Sequence, residues 1–194
     1  MISLIAATCT VAQSVAFVQP TSSDAYRKYF LGDWKLRKKL IYTSGGLSGT
    51  FDGNATFRPL DVRAPRLISY VETGMYTPDN EMFGGARETR NRLLYDFSDW
   101  SKVDVLHDLA DDRSSTEGIL AQASLLYSLS QDEQHAGTLK SERSSTAVGS
   151  TGSEEFWGEL EISEADSFLS TWNVQGPGQA GQIMSLFRRH ELIQ

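Results

Sequence analysis

The chain has a single cysteine, Cys9, in 194 residues. That rules out an internal disulfide and any metal cluster built from cysteines. Histidine is also scarce, with only His107, His135 and His190, and no His-Glu-x-x-His, Cys-x-x-Cys or Gly-x-Ser-x-Gly run is present. The common signatures of zinc proteases, dithiol redox proteins and nucleophile elbows are therefore missing. "GGLSG" (45–49) resembles an elbow only in composition, because it lies between strands instead of entering a helix. Cations are in deficit: 18 Lys and Arg against 25 Asp and Glu leave a formal charge of −7. Nucleic acid is not expected as a partner, since phosphate binding needs a surplus of Lys and Arg. Past residue 20 no apolar run approaches the roughly 20 residues that span a bilayer, so no transmembrane segment is expected in the mature chain. "HDLADD" (107–112) groups His107 with Asp108, Asp111 and Asp112. It reads as a solvated acidic turn, because a metal demands converging ligands. No cofactor and no metal is expected.

Residues 1–20 carry no charged side chain, and Ile2 to Val11 is an apolar or small run of signal-peptide length. Ser14-Val15-Ala16 supplies small residues at a cleavage position, which predicts a signal peptide over 1–16 and passage into the endomembrane system. "SVAFVQPTSS", with Phe17 after the small pair, resembles the cleavage motif of bipartite presequences in algae with secondary plastids. That resemblance implies a short transit segment over 17–24 and a plastid destination. Cleavage would also remove Cys9.

What the chain does have is aromatic residues and alternation. Nine Phe, seven Tyr and four Trp suffice for the core of one domain, placed over 25–194. Ser23 or Asp24 can cap a short helix carrying Tyr26, Tyr29 and Phe30 on one face, with Gly32 ending it. From Trp34 the period becomes two: Trp34, Leu36, Leu40 and Tyr42 share a face that Lys38 interrupts, and Lys35, Arg37 and Lys39 share the other. "TFDGNATF" places Phe51, Gly53, Ala55 and Phe57 together, and "LISYVETGMY" separates Tyr70 and Glu72 from Val71, Thr73 and Met75. Between them "RPLDVRAPR" (58–66) reads as a loop, having two prolines. Further strands are expected in "RETRNRLLYDF", "KVDVLHDL" (Val103, Val105, His107 and Leu109 on one side) and "SLLYSLS" (Leu125, Tyr127, Leu129). Three more follow in "FWGELEI", "SFLSTWNVQ" and "QIMSLFRRH". Residues 137–155, rich in Ser, Thr and Gly, read as a flexible loop. About eight to ten strands with one short N-terminal helix predict an all-β antiparallel barrel.

Gly32-Asp33-Trp34 after a short helix is similar to the first signature of lipocalin-like barrels. The resemblance implies that Trp34 plugs the closed end beneath an Arg of the last strand, Arg188 or Arg189, in a cation–π contact. "FLGDWKLRK", "GTFDGNATF", "YVETG" and "WNVQGPG…SLFRR" together resemble the domain-of-unknown-function family 6314 over about residues 30–190. Tyr70, Glu72 and Gly74 match its Tyr-x-Glu-x-Gly, and Trp172, Val174, Gly176 and Pro177 its Trp-x-Val-x-Gly-Pro. The resemblance implies a lipocalin-like (calycin) barrel and carries no activity with it. This chain departs at "GQAGQ" (178–182), where the family continues Lys-Asp-aromatic, and it lacks the His-x-Cys element around His135.

Glu72 is the residue of most chemical interest, because a carboxylate on the face of Tyr70 needs a partner if that face is inside. Arg87, Arg90 and Arg92 on the following strand are offered, and the pair lies either in the lumen or on the outside. Tyr70, Glu72, Arg90, His107 and Trp157 form the candidate ligand set. Gly32, Trp34, Trp172, Gly176, Pro177, Arg188 and Arg189 are assigned structural roles. The expected function is binding of a small apolar or amphipathic molecule in the lumen, pigments, tetrapyrroles and lipids being candidates in a plastid. The alternatives are an isomerase or hydrolase using His107 and Glu72 as acid and base in the same cavity, or a non-catalytic assembly factor with a filled lumen.

Overall fold

The computed structural model describes residues 17–61, 64–107, 119, 122–147 and 153–190. The predicted signal peptide and the Asp108, Asp111 and Asp112 cluster lie outside the described residues. The alternation after Trp34 is realised as β1 (Gly32–Ser44), where Trp34 and Leu36 are buried and Lys35 and Arg37 are exposed. There follow β2 (Gly49–Asp61), β3 (Ala64–Pro78), β4 (Arg87–Asp96), β5 (Lys102–His107), β6 (Ser124–Gln131), β7 (Thr138–Ser141) and β8 (Ser144–Ala147). The last three strands are β9 (Ser153–Ile162), β10 (Ser167–Gln175) and β11 (Ala180–Arg189).

Each of β1 to β6 pairs with its successor, β7 with β9, β9 with β10, β10 with β11, and β11 returns to β1. The result is a closed antiparallel barrel of ten strands, with β8 alongside the outer half of β9. Closure removes the free edges that an open sheet of this size would expose.

One end is sealed by α1 (Ser23–Phe30), whose Tyr26, Tyr29 and Phe30 are buried. Its cap is Ser22, one residue earlier than expected, accepting from the Ala25 N–H at 3.3 Å. Phe30 packs 5.6 Å from Phe57 and 5.3 Å from Phe168, and Phe168 stacks on Phe187 at 4.1 Å. Trp34 meets Phe168 edge-on at 4.9 Å and donates its indole N–H to the Phe30 carbonyl at 2.8 Å. The Arg189 guanidinium covers the Trp34 ring at 4.3 Å and donates to the carbonyls of Leu31, at 3.0 Å, and Tyr29. The closing arginine is thus Arg189; Arg188 is exposed on the outer face opposite Lys35. Gly32 has φ +128°, and a Cβ there would sit 2.9 Å from the Arg189 guanidinium, so backbone and seal both require glycine.

Three sequence expectations are corrected. Within the proline-containing stretch 58–66, expected as a loop, residues 58–61 and 64–66 are strand: β2 runs through Pro59, and β3 begins before Pro65. A register shift between Pro59 and Asp61 accommodates the missing donor. In β6, Tyr127 and Leu129 face the core, but Leu125 is 58% exposed. A bulge opposite Val105 and Leu106 turns Leu125 outward and lets Leu126 pack on the core. Within 137–155, residues 138–141 and 144–147 are strands: β7 is laddered to β6 and β9 and buries Leu139 in the core, and β8 is laddered to β9.

Candidate functional site

Opposite the α1 seal the barrel opens between the β1–β2 loop, the β10–β11 turn and the start of β4. A cavity of about 370 Å³ lies there, walled by Leu40, Tyr42, Leu47, Phe51 and Tyr76. Its deepest charged groups are Lys38 and Glu72, whose side chains are 18% and 9% exposed. The Lys38 ammonium donates to both Glu72 carboxylate oxygens at 2.6 Å. Behind the carboxylate, the Tyr70 hydroxyl donates to Glu72 Oε2. Both Glu72 oxygens are therefore occupied, and of the three donors on Lys38 two are committed.

Tyr70 holds its proton far above the ordinary tyrosine range, first because it is buried and then because of the Glu72 charge. Burial raises Tyr95 and Tyr127 in the same way, and these two hydroxyls share a hydrogen bond. The centre of the barrel is thus one ion pair among protonated phenols, in a setting where an unpaired charge is very costly.

Space above the pair comes from two glycines. Gly53 and Gly74 face each other across β2 and β3, and a Cβ on either would come within 2.8 Å of the Phe51 ring. That ring lies over the two backbones and leaves the Lys38 ammonium 5.5 Å above it. At the rim Arg87, opposite Tyr76 in the β3–β4 register, rests its guanidinium 5.4 Å over the Tyr76 ring. The Tyr76 hydroxyl donates to the Leu47 carbonyl at 2.6 Å, which pins the β1–β2 loop to the wall.

Residues 30–189 match the family of unknown function DUF6314. The chain belongs to that family. No curated protein matches it in sequence. Among solved structures, the S-type phycobiliprotein lyase CPES from Guillardia theta is similar, with a TM-score of 0.54 and 11% identity over 88% of this chain and 94% of that one. A de novo designed fluorescence-activating β-barrel has a TM-score of 0.37 and 14% identity, covering 84% of this chain and 96% of the design. The lyase likeness is one of fold, and the DUF6314 barrel is lipocalin-like.

Measured against the sequence expectations, this DUF6314 chain keeps Tyr70 and Glu72 inside but changes their company. The partner of Glu72 is Lys38, the residue that interrupted the inward set of β1, and not Arg87, Arg90 or Arg92. Arg90 and Arg92 lie opposite Thr73 and Val71, on the outer face of β4, because Leu93 and Tyr95 point inward. Trp157 is also on the outer face, 4.2 Å beneath the Arg143 guanidinium. The inward tryptophan at that level is Trp172, opposite Gly158, its ring 4.1 Å from that of Tyr127 and tilted 34° to it. His107 stands half-buried on the inward register, opposite Leu93 and Ser124. Gly176 and Pro177 make the β10–β11 turn, closed by the Gly176 N–H donating to the Gln179 carbonyl at 2.8 Å. Sequence reasoning missed Lys38 although its parity with Trp34 and Leu36 marked it as inward.

Proposed function

We propose that this DUF6314 protein binds a small amphipathic molecule in the mouth of its barrel. The observation that carries the reading is the cavity of about 370 Å³ with aromatic and aliphatic walls and a paired Lys38–Glu72 floor. Ligand sites combine such walls with a few fixed polar groups, and volumes of about 300–1,000 Å³ are usual for them. Here the apolar body of the ligand lies against Leu40, Phe51 and Tyr76. An uncharged oxygen at its inner end accepts the third N–H of Lys38. Glu72, held by both Lys38 and Tyr70, orients that lysine and is not available as a general base.

Titration of the full chain with N-phenyl-1-naphthylamine, a neutral apolar fluorophore, tests the reading. A saturable rise in emission at one site per chain is expected. Thr89→Trp, which fills the cavity from β4, abolishes it, whereas Thr73→Trp on the solvent face of β3 leaves it intact. No saturable rise, or a rise untouched by Thr89→Trp, would overturn the proposal.

A further inference from the structure

The charged side chains lining the cavity are Lys38, Glu72 and Arg87. The first two neutralise each other at 2.6 Å. Arg87 remains, and among the described residues no carboxylate forms an ion pair with it. Nearby Asp79 is held by Lys39 at 2.9 Å, and Glu88 points to the other face of β4, opposite Met75. The mouth therefore presents one uncompensated guanidinium on a chain whose formal charge is −7. A general excess of basic residues cannot be the reason for a cation at this place.

From these observations we infer that the ligand is an amphipathic acid, seated with its anionic group on Arg87 and its apolar chain pointing down to the Lys38–Glu72 floor. This rests on the reading of the cavity as a binding site. Orientation follows from electrostatics. An anion at the floor would face the Glu72 carboxylate in a poorly solvated place, where like charges repel strongly. At the rim the same group stays partly hydrated and meets a planar fork of donors that suits a carboxylate, sulfate or phosphate oxygen pair. Stacking on Tyr76 pre-orders that fork, which lowers the cost of immobilising it on binding.

Length is fixed by the register. Asn91 lies opposite Glu72 and Arg87 opposite Tyr76, four residues nearer the rim on β4. At about 3.3 Å per residue this spans about 13 Å, or about 10 Å along the axis of a barrel with strands tilted by about 40°. A chain of about eight to ten carbon–carbon bonds of ~1.5 Å, in zigzag, covers that depth.

The test is calorimetric titration of the full chain with three probes of one length and one inner group. They are 10-hydroxydecanoate, 1,10-decanediol and 10-amino-1-decanol. The acid is expected to bind about tenfold more tightly than the diol, and the ammonium compound most weakly. In Arg87→Gln, a change at an exposed position, the acid falls to within about twofold of the diol and the diol itself is unchanged. A diol that binds as tightly as the acid overturns the acid assignment and leaves the cavity reading standing. An acid preference that survives Arg87→Gln overturns the role given to that residue. If neither these probes nor the neutral naphthylamine bind, the cavity reading itself is overturned.

Discussion

Replacing Lys38 by Met removes the cation that holds Glu72 and leaves a carboxylate in the middle of the barrel. Removing one partner of a buried pair costs about 3–5 kcal/mol. Lys38 is 18% exposed and Tyr70 still donates to Glu72 after the change, which puts the expected loss at the lower end, about 3 kcal/mol. Urea unfolding followed by Trp emission at about pH 8 reads this directly. With a slope of about 2 kcal/mol per molar, the midpoint falls by about 1.5 M. The triple variant Lys38→Met, Glu72→Leu, Tyr70→Phe removes charge and hydroxyl together and is expected within about 1 kcal/mol of the parent. A loss below about 1 kcal/mol for Lys38→Met would refute the claim that the pair is buried and mutually dependent.

Arg189→Met is expected to destabilise by about 3 kcal/mol in thermal unfolding, since a desolvated cation–π contact is worth about 2 kcal/mol and two backbone carbonyls lose their donor. Arg189→Lys recovers only part of it, because an ammonium lacks the planar fork. Alkaline titration of tyrosinate absorbance should show Tyr70, Tyr95 and Tyr127 silent until the barrel unfolds, and Tyr26, pushed up by burial to about 12, late. Folded-state values above the unfolded value of about 10 mean that the unfolded chain binds fewer protons at high pH, so stability is full below about pH 10 and falls as pH rises beyond it.

Where the signal is local, the sequence is a good guide. The alternation of β1, the Gly32-Asp33-Trp34 start and the arginine at the end of β11 are each visible in a few residues, and together they specify a sealed barrel. The site is less legible because its identity depends on parity read across strands. Trp157 looks like a pocket wall until Gly158, Leu160 and Ile162 are recognised as the inward set, and a glycine in that set hides the pattern. Arg90 is misplaced for the same reason: Leu93 and Tyr95 fix the odd positions of β4 as inward. Lys38 is overlooked because a cation among apolar residues reads as an interruption unless its counter-charge, 34 residues away, is already known. The bulge that turns Leu125 outward and the short strand β8, which has no large apolar residue, have no local cause. Both are imposed by neighbouring strands, which a propensity argument does not contain.

The pairing of β1 with β11 has a consequence for biosynthesis. One edge of β1 can zip to β2 as soon as residue 61 has been made. Its other edge must wait for β11, and the Arg189 donor to the Leu31 carbonyl bridges 158 residues of chain. At about 5–20 residues per second, translation leaves that edge and the indole of Trp34 without their final partners for roughly 8–30 s. Such distant pairing makes folding slow. The charged outer row of Lys35, Arg37 and Lys39 then acts as a guard during synthesis, since like-charged strands from neighbouring nascent chains resist pairing edge to edge.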